Sequence, residues 1–266
     1  MVGSIIAHVK FRGTIRERSV EPFVRLLEAV MNKRKVKGML WDVSSGGGDS
    51  VASYDLYMAV KRVNQVKPVI ATIGSVAASG GYMAVLGAFK IYAYEDSDVG
   101  SIGVFIPHIA ARGLLDKLGV KVELLHHGRH KDAYQGLRDL TDEERTKILK
   151  VAEVGYNSFM ALVAKERKQS AEKILELATG EYWSGKQALE LGLVDAIGDR
   201  TAALMELSRL TGVPTRKRVE ISPPRPFIER LLNGPMSAVG SSLADSLYSS
   251  MEESLEDQLL NGGRMR

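Results

Sequence analysis

The 266-residue chain contains no cysteine, which excludes a disulfide framework, a thiolate nucleophile and a zinc site built on thiolates. No compartment follows from that absence, because many cell-surface and archaeal proteins also lack the residue. Long apolar runs are missing as well. No window reaches the roughly 18 apolar residues that span a bilayer, and Met1–Val9 has no basic stretch leading into a long apolar one, as a secretory leader would. The expectation for the chain as given is a soluble protein, with a removed anchor left open. Charge of one sign is scarce too, with 36 Lys and Arg against 32 Asp and Glu for a net +4, and the basic residues are spread along the chain. Nucleic-acid binding needs a clustered basic face interleaved with aromatics. With no such face, no nucleic-acid partner is expected.

What the chain does have is an apolar fraction of 45%, enough to build one sizeable core. Ile5–Phe11 reads as a strand, and Val20–Asn32 carries Phe23, Leu26, Leu27 and Val30 on one helical face. Val36–Val43 is an apolar strand without clean alternation, which suggests a parallel sheet covered on both faces. Two strand–turn–helix units follow, each with a glycine-rich turn: Ser44–Ser50 before a helix over 51–63, and Gly74–Tyr82 after the strand Val69–Ile73. This is a βαβ layout of the α/β class.

Phe89–Tyr94 reads as a further strand, Leu114–Leu118 as a short helix and Val120–His126 as a strand. Thr141-Asp142-Glu143-Glu144 has the hydroxyl and carboxylate spacing of a capping box and opens a long helix through Val163. Ser170–Thr179 and Trp183–Gly192 read as two more helices, the second with Ser184 as its cap. After Leu210 the character changes, and Pro223-Pro224-Arg225-Pro226 marks a break. The expected organisation is a domain over 1–210 and an extension over 211–266. In that extension Met236, Val239, Leu243, Leu247, Met251, Leu255 and Leu259 form the stripe of an amphipathic helix. Its polar face carries Glu252, Glu253, Glu256 and Asp257, which favours a protein contact over an anionic lipid surface.

The turn Gly74–Tyr82 places Ser79 where a short polar side chain is held at the mouth of a strand–helix junction. A serine hydroxyl is a weak nucleophile until a base takes its proton. The five histidines, His8, His108, His126, His127 and His130, show no Ser-His-Asp order, and Ala77 removes the Gly-x-Ser-x-Gly elbow. Lysine is the other option, because an amine in an apolar, water-poor site gives up its proton more readily. Spacing alone does not choose among the lysines. His126, His127 and His130 lack a carboxylate pair at ligand spacing and read as a polar strand end, so no metal is expected. Gly46–Gly48 is followed by no Gly-Lys-Ser/Thr, so no nucleotide or other cofactor is expected either.

Five stretches taken in order resemble the signal peptide peptidase A family, a branch of the Clp protease/crotonase superfamily. They are Ser44–Gly48, Ala77–Tyr82, Gly100–Val104, Gly128–Lys131 and Gly185–Gly198, and the likeness covers about residues 5–210. The resemblance implies a Clp/crotonase-like fold of βαβ units and a Ser-Lys peptidase. In it Ser79 would be the nucleophile, Lys131 the general base and Ser101 the residue that orients the amine. The backbone N–H groups of Gly48 and Gly80 would form the oxyanion hole. It also implies apolar peptide or membrane-protein-derived substrates, such as signal peptide remnants, a homo-oligomer and a membrane-associated or cell-envelope location, with a cytoplasmic one left open. Where the family usually has Asn-Ser-Pro-Gly-Gly, this chain has Ser44-Ser45-Gly46-Gly47-Gly48, so the donor within Gly46–Gly48 stays open. The family's usual membrane-spanning segment is also missing. Two other readings remain: a crotonase-like acyl-CoA enzyme, and a non-catalytic scaffold that binds membrane proteins.

Overall fold

The computed structural model describes residues 3–223. In chain order the elements are β1 (Ile5–Arg12), α1 (Glu17–Asn32), β2 (Val36–Ser45), α2 (Ser50–Val66), β3 (Val69–Ala78), α3 (Gly80–Val85), β4 (Lys90–Ala93), β5 (Asp98–Gly100) and α4 (Arg112–Lys117). They continue with α5 (Asp142–Arg167), α6 (Ala171–Leu177), β6 (Tyr182–Ser184), α7 (Gly185–Glu190), β7 (Ala196–Ile197), α8 (Arg200–Thr211) and β8 (Arg218–Ile221). The amphipathic stripe expected over Met236–Leu259 lies outside the described residues.

All the strands join one sheet in the order β6-β5-β3-β2-β1-β8, with β4 pairing β3 and β7 off that path. Every pairing is parallel except β5 with β6. Successive side chains of a strand point to opposite faces, and both faces here are apolar, as the run in β2 implied. One face presents Val9, Trp41 and Ile73 to the helices α1, α2 and α3, and Trp41 donates its indole N–H to Ala84 O at 3.2 Å. The other presents Ile6, Leu40 and Ile70 to Leu204 and Leu207 of α8. Each such fully buried large side chain contributes about 1.5–3 kcal/mol.

One residue inside the apolar run of β2 breaks the pattern. Asp42 is fully buried on the α8 face. It accepts from Arg200 Nε at 2.6 Å, lies 2.7 Å from Arg12 NH2 and 3.3 Å from His8 Nε2. Burial pushes its carboxyl up, and the bonds from His8, Arg12 and Arg200 overcome that and hold it well below the usual carboxylate range.

The local start signals hold. Thr141 and Glu144 form the reciprocal box that opens α5, and Ser170 and Ser184 cap α6 and α7. Two expectations do not. The last of these helices begins at Gly185 rather than Trp183, because Tyr182–Ser184 pairs antiparallel with β5. Val120–His126 has the alternation of a strand, yet forms no ladder, and Val120, Val122 and Leu125 are exposed. Among the described residues no helix is long and apolar enough to cross a membrane.

Candidate active site

Four neighbouring strands, β5, β3, β2 and β1, run parallel, so their carboxyl ends open on the same side of the sheet. That is where open α/β sheets place their ligands. The residues that follow those ends are Ser101, Ser79, Gly46–Gly48 and Thr14, and together they line one cleft of about 810 Å³.

Ser79 stands between β3 and α3 with φ 51° and ψ −124°. Glycine tolerates that conformation and a side chain resists it, at a cost of about 1–3 kcal/mol. The surroundings impose it. Ser79 N–H donates to Gly100 O at 2.8 Å, and Ser79 O accepts from Met83 N–H at 3.0 Å. The next residue packs so closely that a Cβ on Gly80 would lie 2.0 Å from Ser53 Oγ, which fixes glycine there. As the first residue of α3, Gly80 has no intrahelical acceptor for its N–H.

The glycine loop after β2 is pinned from below by Ile15, whose N–H donates to Gly47 O at 2.9 Å and whose carbonyl accepts from Asp49 N–H at 2.9 Å. Gly47 N–H is taken by Ser45 Oγ at 3.1 Å. Gly48 N–H has no hydrogen-bond partner among the described residues. Gly48 has φ +153°, and a Cβ there would fall 2.0 Å from Ile15 O. A Cβ on Gly47 would lie 2.8 Å from Gly80 N, so the two loops are in contact.

Ser101, also at positive φ (47°), donates its N–H to Glu181 O at 2.7 Å and faces the same cleft. The cleft's apolar wall comes from Val104, Phe105, Pro107, Tyr156 and Tyr182. Tyr156 is held by its hydroxyl, which donates to Ala178 O at 2.8 Å. Tyr156 and Tyr182 were not among the residues read from the sequence, because neither belongs to a short motif, and only folding brings α5 and β6 to the ends of the parallel strands.

Lys131 does not line this cleft. It sits in an exposed turn, its N–H donating to Gly128 O at 3.0 Å. Ser79, Ser101 and Gly48 therefore line one cleft, Gly80 follows Ser79 directly, and Lys131 is not among the lining residues. A different lysine, Lys67, has its ammonium pulled down to about 8 by burial and by the nearby Lys37. Lys67 precedes β3 whereas Ser79 follows it, so the two are roughly 30 Å apart along a 10-residue strand. Its amine donates to Val30 O at 2.7 Å and Lys33 O at 2.6 Å, closing the end of α1. Of the histidines near Lys131, His130 donates to Glu144 Oε1 at 3.2 Å and His126 to Gly128 O at 3.2 Å.

A family model described as peptidase family S49 matches residues 61–214. A protein of Synechocystis, slr0021, provisionally named a protease, is 32% identical over 244 residues, covering 91% of this chain and 87% of that one. The chloroplastic serine protease SPPA of Arabidopsis thaliana is 31% identical over 84% of this chain, which spans only 33% of that protein. Among solved structures, an alanine-for-serine mutant of the 1510-N membrane-bound stomatin-specific protease is similar with a TM-score of 0.54 at 15% identity. The match covers 84% of this chain and 100% of that one, and bears on the fold alone.

Proposed function

The chain belongs to peptidase family S49, and from that premise we propose that it is a serine endopeptidase that cleaves extended, apolar peptides with a Ser79–Lys131 dyad. One observation carries the reading: Ser79 is held in a strained elbow conformation at the mouth of a cleft, beside the unpartnered Gly48 N–H. Strain of this kind persists only where the surroundings over-determine it.

In the proposed reaction Ser79 Oγ attacks the scissile carbonyl carbon as its proton passes to the neutral amine of Lys131. The C–O bond forms, and the carbonyl electrons move to an oxyanion held by the N–H groups of Gly48 and Gly80. The tetrahedral species collapses, the C–N bond breaks, and the Lys131 ammonium returns its proton to the leaving amine. Water, deprotonated by the same amine, then attacks the acyl carbon, the ester C–O bond to Ser79 breaks, and the Lys131 ammonium gives its proton to Ser79 Oγ as the acid product leaves. Ser101 orients the amine. The apolar wall of Val104, Phe105, Tyr156 and Tyr182 suits apolar side chains, and signal peptide remnants are the substrates the resemblance implies.

Lys131 has to reach Ser79 for this chemistry. The segment leading to it exposes Ile109 at 80% and Leu125 at 87%, an apolar surface that self-association would cover. We place the protein in a homo-oligomer, formed through this segment, that brings a Lys131 amine to a Ser79 hydroxyl.

Ser79→Ala and Lys131→Ala are expected each to lower hydrolysis of an apolar peptide by at least about a thousandfold without unfolding the chain. Light scattering of the full chain should give a mass at least twice the 29.1 kDa of one chain. Near-native turnover by either variant overturns the dyad, and a fully active monomer overturns the assembly.

A further inference from the structure

Lys131 lies in a run where its neighbours are tied down and its own amine is not. Arg129 pairs with Glu143 at 2.9 Å. His130 donates to Glu144 through Nδ1 and accepts from Lys147 Nζ at 2.8 Å through Nε2. Asp132 receives two bonds from one guanidinium, Arg138 Nε at 2.6 Å and NH2 at 2.8 Å. Lys131 Nζ makes no hydrogen bond or ion pair among the described residues.

Arg138 has a second grip. Its NH1 donates to Glu144 Oε2 at 2.8 Å and its NH2 to Glu144 Oε1 at 2.8 Å. Glu144 is itself fixed, with only 3% of its surface exposed and with the Thr141 N–H donating to it at 2.9 Å in the box that opens α5. A planar guanidinium with its donors in a rigid fork can hold two carboxylates at once, which an ammonium does much less well. From Glu144 the helix runs on to Tyr156 in the wall of the cleft.

We infer that Arg138 is a positioning residue for catalysis: by clasping Asp132 to Glu144 it fixes the turn that carries Lys131 onto α5. The inference rests on the reading of Lys131 as the general base. Bonds from Arg138, with smaller help from the Thr141 N–H at Glu144, hold both carboxyls below their ordinary range, so the clasp stays charged from mild acid to alkaline pH. Arg138 thus occupies both oxygens of the Asp132 carboxylate, and His126 Nε2 lies 3.7 Å from one of them. Loosening the turn leaves the cleft and its glycine donors intact, so the loss should fall on the chemical step and not on substrate binding.

The test measures kcat and KM for an apolar peptide with the full chain, in Arg138→Ala, Asp132→Asn and Lys131→Ala. Asp132→Asn removes only the turn's side of the clasp and leaves the cap of α5 in place, so it reports even if Arg138→Ala fails to fold. The expected result is a fall in kcat of about 10- to 100-fold in the first two variants, the scale of a misplaced catalytic group. KM should stay within about twofold. Added guanidinium chloride at millimolar concentration should restore part of the rate of Arg138→Ala and none of that of Lys131→Ala. If Asp132→Asn and any folded Arg138→Ala keep native kcat while Lys131→Ala is inactive, the positioning role is wrong and the dyad stands. If Lys131→Ala itself stays active, the base assignment fails and this inference falls with it.

Discussion

At Gly80 two demands meet on one residue. As the first residue of α3 it has no intrahelical acceptor for its N–H, and its α-carbon lies against Ser53, which donates its hydroxyl to Asp49 O at 2.6 Å. A methyl group at position 80 therefore collides with a side chain that is itself held in place. Gly80→Ala should lower stability by about 1–3 kcal/mol, the range for overpacking a tight site. Adding Ser53→Gly should recover part of that loss, so that the double-mutant cycle shows coupling of about 1 kcal/mol or more. Thermal unfolding of the four proteins measures it, and a Gly80→Ala chain that melts with the native protein sinks the close-packing argument. The same scale shows what a sequence discloses. Ser79 and the glycines around it were legible because a strand–helix turn is written in consecutive residues. The freedom of the Gly48 N–H was not, since it depends on Ser45 engaging Gly47 and on Ile15, more than thirty residues earlier, engaging Gly47 and Asp49.

Among the elements, β2 shows how a buried charge is accommodated in an apolar strand. Asp42 titrates lower in the folded chain than the ordinary value of about 3.9. The stability it contributes is thus fully present above that value and is lost as pH falls through the folded-state titration. Asp42→Asn should destabilise the protein at neutral pH by about 1–3 kcal/mol, the worth of hydrogen bonds to a charged group. It should also flatten the loss of stability between about pH 5 and pH 2. Denaturant midpoints across that range check it, and an unchanged acid slope contradicts it. The caps of α5, α6 and α7 were readable because a capping residue and its target lie three positions apart. The pattern of Val120–His126 was readable as well, but a strand also needs a neighbour, and the ladder of β5 is completed by Tyr182–Ser184 instead. Asp42 was hidden for the complementary reason, its partners Arg12 and Arg200 lying far from it in sequence.

For the molecule as a whole, the mostly parallel sheet with helices on both faces is the Clp protease/crotonase-like fold that the resemblance implied. Its topology explains why motifs scattered from Thr14 to Ser101 reach one cleft: four adjacent strands point their carboxyl ends the same way. Lys131 is the exception: it is not among the residues that line the cleft, and no motif in the sequence says so, because the turn that carries it pairs with no strand of the sheet. In the proposed chemistry Ser79 is a nucleophile made reactive by Lys131. Treating the 266-residue chain with a fluorophosphonate and locating the adduct by peptide mass tests this. The expected result is a single modification at Ser79, faster as pH rises because the base must lose its proton, and lost in Lys131→Ala. Labelling that falls elsewhere, or that proceeds at Ser79 at the native rate without the lysine, would contradict it.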